Sequence, residues 1–293
     1  MKLAEHFRQF LSNIEPTCSQ IREAASGHAT LRSRLQEDEE SKECVLETFL
    51  SGSYARSTAI RPVKDVDIVS VLDLDPHNNE PAVALSFVQQ VLKKYYPSVK
   101  RQRRSLRITL TYVVMDLVPA VAPYGLESEL LIPDRDLSEW VPTHPKGHLA
   151  HATQLNTALE GRFIPLVKAM KWWRDYQMPK SRRPASFLLE VIVGSSVSGC
   201  TFDCMAAAVC SCFEGIGDQY RHYADAGLVP AVPDPVLPGN NVASDWVEED
   251  FAAFMTAVDK SSDLARAALN SKDKDESVGL WQKLFGSAFP TAT

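Results

Sequence analysis

Asp65 and Asp67 are spaced for metal and phosphate chemistry. They open the apolar run Ile68-Val69-Ser70-Val71-Leu72, and Asp65 stands twelve residues after Ser53 of the pair Gly52-Ser53. In an extended strand residues i and i+2 share a face, so the two carboxylates project together. Paired hard oxygen ligands suit Mg2+, which takes one or two carboxylates plus substrate phosphates. Two such ions about 3.5–4 Å apart can clamp the attacking and leaving oxygens of an in-line phosphoryl displacement. Gly52 allows close backbone approach, and Ser53 adds a hydroxyl donor. The short helix expected after them would point free N–H groups at an anion. Taken singly, Gly-Ser also reads as a turn and Asp-x-Asp as a solvated strand end. Asp73 and Asp75 repeat the spacing next to Pro76 and read as the exposed end of the strand.

Asp116 supplies a third carboxylate. It is alone among apolar neighbours in a run rich in β-branched and aromatic residues, read here as one strand over 106–121. An ionised carboxylate in such a place is costly unless an arginine or backbone N–H groups satisfy it or it binds a metal. If this strand neighbours the Asp-x-Asp strand, Asp116 sits beside Asp65 and Asp67.

The elements that must position these residues follow from periodicity and punctuation. Helices are expected over 2–13, 16–38 and 80–95, and strands over about 45–50, 65–73, 98–103, 106–121 and 128–132. Pro119, Pro123, Pro133, Pro142 and Pro145 mark a change of lobe, and the chain beyond about 147 is mainly helical. The expected class is α+β. A catalytic lobe over 1–146 carries N-terminal helices that bridge both lobes, and a helical lobe covers 147–293.

Composition narrows the function. The 293 residues are 45% hydrophobic and 23% charged, ordinary for a globular protein. A net charge of −6 argues against wrapping long nucleic acid but leaves nucleotides open. The N-terminus has no apolar core of signal-peptide length and no uncharged run is long enough to span a membrane, so a cytoplasmic protein without a membrane partner is expected. Cys200, Cys204, Cys210 and Cys212 match no usual zinc spacing and read as small thiols in a helix core.

In the helical half, 162–176 reads as an amphipathic helix. Lys168 and Lys171, three apart, share a face that is either solvated or available to a triphosphate. Asn156 can meet a base edge with both a donor and an acceptor, or cap the following turn. Ser186 follows Pro184 at an expected helix start, and a further helix is expected from about Ser244 with Ser244 as its cap.

These motifs together resemble a known family. Gly52-Ser53, the short helix, Asp65-Val66-Asp67 and Asp116 look like the polymerase-β type of nucleotidyltransferase. The stretches 52–69, 115–120 and 233–242 resemble oligoadenylate synthases. The chain is most similar, over about 47–258, to bacterial cyclic GMP–AMP synthase/DncV-like nucleotidyltransferases. The resemblance implies a polymerase-β-like core with a mixed twisted sheet, a C-terminal helical lobe, and an active site in the cleft between them. Asp65, Asp67 and Asp116 would hold two Mg2+ ions, with Mn2+ as a substitute. Gly52, Ser53, Arg56, Lys168, Lys171, Ser186 and Asn156 would bind the nucleotides. The implied activity, in anti-phage defence, condenses ATP, GTP, UTP or CTP into a cyclic di- or trinucleotide with release of pyrophosphate. A separate effector protein would read the product, and the synthase would act as a monomer. Competing readings are a linear or small-substrate nucleotidyltransferase and a catalytically silent nucleotide-sensing scaffold. The full carboxylate set counts against the scaffold.

Overall fold

A computed structural model describes residues 1–136 and 138–292 of the chain. It divides into two compact units. One is the continuous stretch Pro16–Ala150; the other joins Met1–Glu15 to His151–Thr293.

The continuous unit is built on a mixed sheet. Its strands are β1 (Val45–Ser51), β2 (Val66–Leu72), β3 (Val99–Arg101), β4 (Leu106–Thr109), β5 (Val114–Val121), β6 (Leu130–Asp134) and β7 (Glu139–Thr143). The order is β1-β2-β5-β4-β3, with β6 pairing β5 and β7. Only β2 and β5 run parallel in this path; β1–β2, β5–β4 and β4–β3 are antiparallel. Two helices cover one face, α2 (Cys18–Glu37) and α4 (Pro81–Lys93). A capping box starts α2, in which Thr17 Oγ1 accepts from Gln20 N and Gln20 Oε1 accepts from Thr17 N. Proline at the first position starts α4, where its missing N–H costs nothing. Leu31 and Leu35 of α2 and Leu85, Val88 and Leu92 of α4 form one core with Val66, Ile68, Leu106, Ile108, Met115 and Leu117 of the sheet.

Two differences from the sequence reading lie here. The expected strand over 106–121 is a hairpin, β4 and β5, turning at residues 110–113, where Leu110 N donates to Val113 O. That turn, Leu110-Thr111-Tyr112-Val113, contains no glycine, proline or asparagine, so composition does not announce it. Strand β7 was also missed, because Pro142 lies in what reads as a proline-rich linker.

The other unit is helical: α1 (Ala4–Ile14), α6 (Phe163–Gln177), α7 (Ser186–Ser196), α8 (Met205–Asp225), α9 (Glu248–Asn270) and α10 (Lys274–Phe285). The linking helix α5 (Pro145–Ala158) crosses the boundary between the units. Helix α1 belongs to this unit because Phe7 and Phe10 pack among Trp281, Phe285 and Phe289, with ring centroids 4.4–6.4 Å apart. The units thus part after Ala150, and the first helix sits with the C-terminal residues. Trp173 of α6 is fully buried against Phe213 and Phe254 and donates its indole N–H to Ser261 Oγ at 2.8 Å. The helix expected from Ser244 starts at Glu248, with Val247 as its cap residue and Glu248, Glu249 and Asp250 in its first turn. The 233–242 loop holds itself: Asp234 Oδ1 accepts from Val236 N and Leu237 N, and Asn241 Oδ1 from Val232 N and Ala243 N.

Candidate active site

Strand periodicity sorts the sheet residues into two faces. Val66, Ile68 and Leu72, with Leu106, Ile108, Met115 and Leu117, turn towards α2 and α4. The alternate positions turn away, which places Asp67, Arg107 and Asp116 together on the other face. Register does the rest. Asp67 of β2 lies opposite Asp116 of β5, Ser51 of β1 opposite Asp67, and Arg107 of β4 opposite Asp116. Asp65 sits just before β2 in the same alternation. Farther along this face Val69, Val71, Ala120 and Leu130 form a second small apolar cluster that backs the carboxylates.

Gly52 takes φ +64°, a left-handed conformation that favours glycine. A Cβ there would overlap Asp67 Oδ2 and come within 2.6 Å of Asp67 Cγ. The glycine therefore admits the aspartate's own carboxylate, a role beyond ligand approach. The helix after it, α3 (Gly52–Ala55), is only four residues long, so the expected helix dipole is weak. Thr58 N donates to Ser53 O at 2.9 Å and Arg56 N to Gly52 O at 3.2 Å, which closes the turn.

Burial and mutual repulsion set the charges. Asp65 is raised above the usual carboxylate range by burial first and then by Asp116, with Arg107 and Lys64 opposing. Asp67 is pushed up to about 6 by burial and by Asp65 and Asp116, against the pull of Arg56 and Arg107. Two arginines oppose this, Arg56, which is buried, and Arg107. Arg107 Nε donates to Asp116 Oδ1 at 2.9 Å, and its Nη2 donates to Asp116 Oδ2 at 2.5 Å and to Asp65 Oδ2 at 3.2 Å. Sequence reasoning missed this residue. Its signal was a polar residue at an alternate position of the strand that faces Asp116, visible only once the hairpin is recognised.

Three hard oxygen donors on matched strands, with excess negative charge, fit a divalent cation. Among the described residues, no three carboxylate, imidazole or thiol side chains are drawn up as a ready coordination set. At the aspartates, Arg107 engages both oxygens of Asp116 and one of Asp65, lone pairs a cation would use.

The helical unit positions the other expected residues. Lys171 is 2% exposed and pairs with the equally buried Glu190 of α7 at 3.1 Å. Lys168 pairs with Glu15 at 2.7 Å. Ser186 is the first residue of α7, and its Oγ accepts from Arg174 Nη1 at 3.2 Å. Asn156 acts as the cap: its Oδ1 accepts from Ile164 N at 3.1 Å, and its carbonyl accepts from Gly161 N at 2.7 Å. That uses one lone pair of the side-chain oxygen and ties Asn156 to the start of α6. Burial pushes the Cys210 thiol up to about 12 and Cys212 higher still, while Cys200 and Cys204 precede α8. Cys210 and Cys212 are therefore poor thiolate ligands.

A mixed sheet that sets a Gly-Ser turn against three aspartates in this register is the core of a nucleotidyltransferase. Comparison with known proteins agrees. The family described as "Second Messenger Oligonucleotide or Dinucleotide Synthetase domain" matches residues 1–156. A "Cyclic AMP-AMP-AMP synthase" of Acinetobacter sp. is 36% identical over 99% of this chain and 86% of its own length. A "Cyclic AMP-AMP-GMP synthase" of Enterobacter hormaechei is 32% identical over 99% of this chain and 92% of its own. The solved structure of E. coli MS115-1 CdnC with ATP shares the fold, at TM-score 0.77, 19% identity and 98% coverage of both chains. The chain belongs to the second messenger oligonucleotide or dinucleotide synthetase family, the cyclic GMP–AMP synthase/DncV-like nucleotidyltransferases. It is a nucleotidyltransferase of polymerase-β-like fold, in a family of metal-dependent synthases that build cyclic oligonucleotides. Among the described residues no helix is long and apolar enough to cross a membrane.

Proposed function

We propose that this chain condenses three nucleoside triphosphates, at least two of them ATP, into a cyclic trinucleotide. The names of the Acinetobacter and Enterobacter relatives, each aligned over 99% of this chain, support a trinucleotide rich in adenylate. The observation that carries the chemistry is the register of Asp67 against Asp116 with Asp65 beside them. Those three carboxylates would hold two Mg2+ ions, or Mn2+ in their place, which when bound supply charge neutralisation at the phosphates and a lowered pKa for the attacking ribose hydroxyl.

The chain's own groups orient the substrate. Ser53 Oγ donates to a donor phosphate oxygen, and Gly52 keeps Asp67 seated beneath it. Arg56 adds positive charge beside Asp67. Lys171, Lys168 and Ser186 are the helical unit's triphosphate-binding groups; there Lys171 pairs with Glu190 and Lys168 with Glu15. The ribose hydroxyl of the acceptor attacks the α-phosphorus in line, and pyrophosphate leaves. Repetition and a final intramolecular attack close the ring. The enzyme works as a cytoplasmic monomer in anti-phage signalling, without long nucleic acid, and a separate effector protein reads its product.

Incubation with all four triphosphates and Mg2+, then phosphatase and mass spectrometry, tests this. A phosphatase-resistant cyclic trimer containing adenylate is expected. A product that loses terminal phosphates would show a linear enzyme, and wild-type yield from a folded Asp65→Ala/Asp67→Ala variant would remove the site assignment.

A further inference from the structure

We propose that Arg107 is an internal counter-ion that competes with the divalent cation for Asp65 and Asp116, and so sets how tightly the site takes metal. The inference rests on the reading of Asp65, Asp67 and Asp116 as the cation's ligands.

Geometry supplies the competition. One guanidinium engages three carboxylate oxygens, two on Asp116 and one on Asp65. A cation held by the same two aspartates needs lone pairs from the same groups. The two contacts differ in strength. The Asp116 contact is bidentate, at 2.9 and 2.5 Å, and is fixed by direct opposition across the hairpin. The Asp65 contact is a single bond at 3.2 Å. Asp65 is therefore the carboxylate that Arg107 gives up first. Exposure permits this: the Arg107 side chain is 36% exposed and Asp116 only 10%. The guanidinium can turn one arm to water without stranding a buried charge.

Competition also has a sign. Three clustered carboxylates repel one another, and one guanidinium offsets part of that repulsion. Removing it leaves a more negative site, which takes a cation more tightly. A residue that merely holds the aspartates in place would have the opposite effect, since its loss would loosen the ligand set and weaken binding.

The test is Mn2+ titration of the metal-stripped full-length protein without nucleotide, followed by electron paramagnetic resonance, with melting in EDTA alongside. Arg107→Gln is expected to bind Mn2+ about three- to tenfold more tightly than wild type, the range for one charge at a partly exposed site. It should also melt earlier in EDTA, and added Mn2+ should narrow that gap. If Arg107→Gln does not fold, Arg107→Lys carries the test. One ammonium cannot grip both aspartates in the same way, so Mn2+ binding should again tighten, by a smaller factor. Unchanged or weaker Mn2+ binding in a folded variant overturns the proposal. If wild type binds Mn2+ and Asp65→Ala/Asp67→Ala does not, that failure belongs to Arg107 alone. If the double variant binds Mn2+ as wild type does, the reading of the site fails and this proposal with it.

Discussion

Arg107 and Asp116 face each other across the β4–β5 hairpin, and the guanidinium grips both oxygens of the carboxylate. The pair is structural and chemical at once, because Asp116 is also the parallel neighbour of Asp67. Asp116→Asn keeps the shape and an acceptor for Arg107 but removes the charge. Product formation should fall at least about a hundredfold while the circular-dichroism melt stays near wild type. A large loss of melting temperature with activity retained would mean that the pair serves only the fold.

Asp67 links the site to pH. Its folded pKa, about 6, lies above the ordinary value of 3.8, so the charged form disfavours the folded state. That penalty is fully present above about pH 6 and fades as pH falls towards 3.8; its ceiling is on the order of 3 kcal/mol. In EDTA, Asp67→Asn should therefore melt higher than wild type at pH 8, and the difference should shrink at pH 4–5. Mn2+ binding to wild type should weaken below about pH 6, where protons compete for the same oxygens. Thermal melts across that range, with and without Mn2+, check both statements.

Gly52→Ala tests the backbone beside this carboxylate. The new Cβ would meet Asp67 and hold a left-handed φ of +64°, so Asp67 must move. A stability loss of about 1–3 kcal/mol is expected together with near-complete loss of product. Activity at wild-type level would mean that the turn relaxes freely.

Lys171 and Glu190 form a buried pair, and removing one partner of such a pair costs about 3–5 kcal/mol. Lys171→Met should be strongly destabilised, and Lys171→Met/Glu190→Leu should regain most of the loss. The double variant separates two roles for the lysine. Restored stability with a raised KM for triphosphate points to phosphate binding. Restoration of both would leave Lys171 as a packing element alone.

Much of the site was legible because it depends on a period of two. Asp65, Asp67 and Asp116 stand out as carboxylates in apolar runs, and alternation places Asp65 and Asp67 on one face before any register is known; Asp116 joins them through the pairing of β2 with β5. Arg107 was not legible for the opposite reason. It was read into the same strand as Asp116, where the two lie nine positions apart, and only the turn at 110–113 folds one onto the other. The Asn156 hydrogen bond to Ile164 N depends on how α5 meets α6, which spacing alone leaves open. Helix α1 had a clear apolar stripe, but its partners Trp281, Phe285 and Phe289 are more than 260 residues away. Periodicity shows that a face must be covered and is silent on what covers it.

The aromatic packing of Phe7 and Phe10 against Trp281, Phe285 and Phe289 imposes an order on synthesis. The stretch Pro16–Ala150 is continuous and can complete its sheet while the ribosome is still making the helices. The first helix emerges before any of this and must wait, apolar face exposed, until residue 289 has left the exit tunnel. Helix α1 is thus made well before the residues that cover it, and the helical unit closes only once Trp281, Phe285 and Phe289 are available to it.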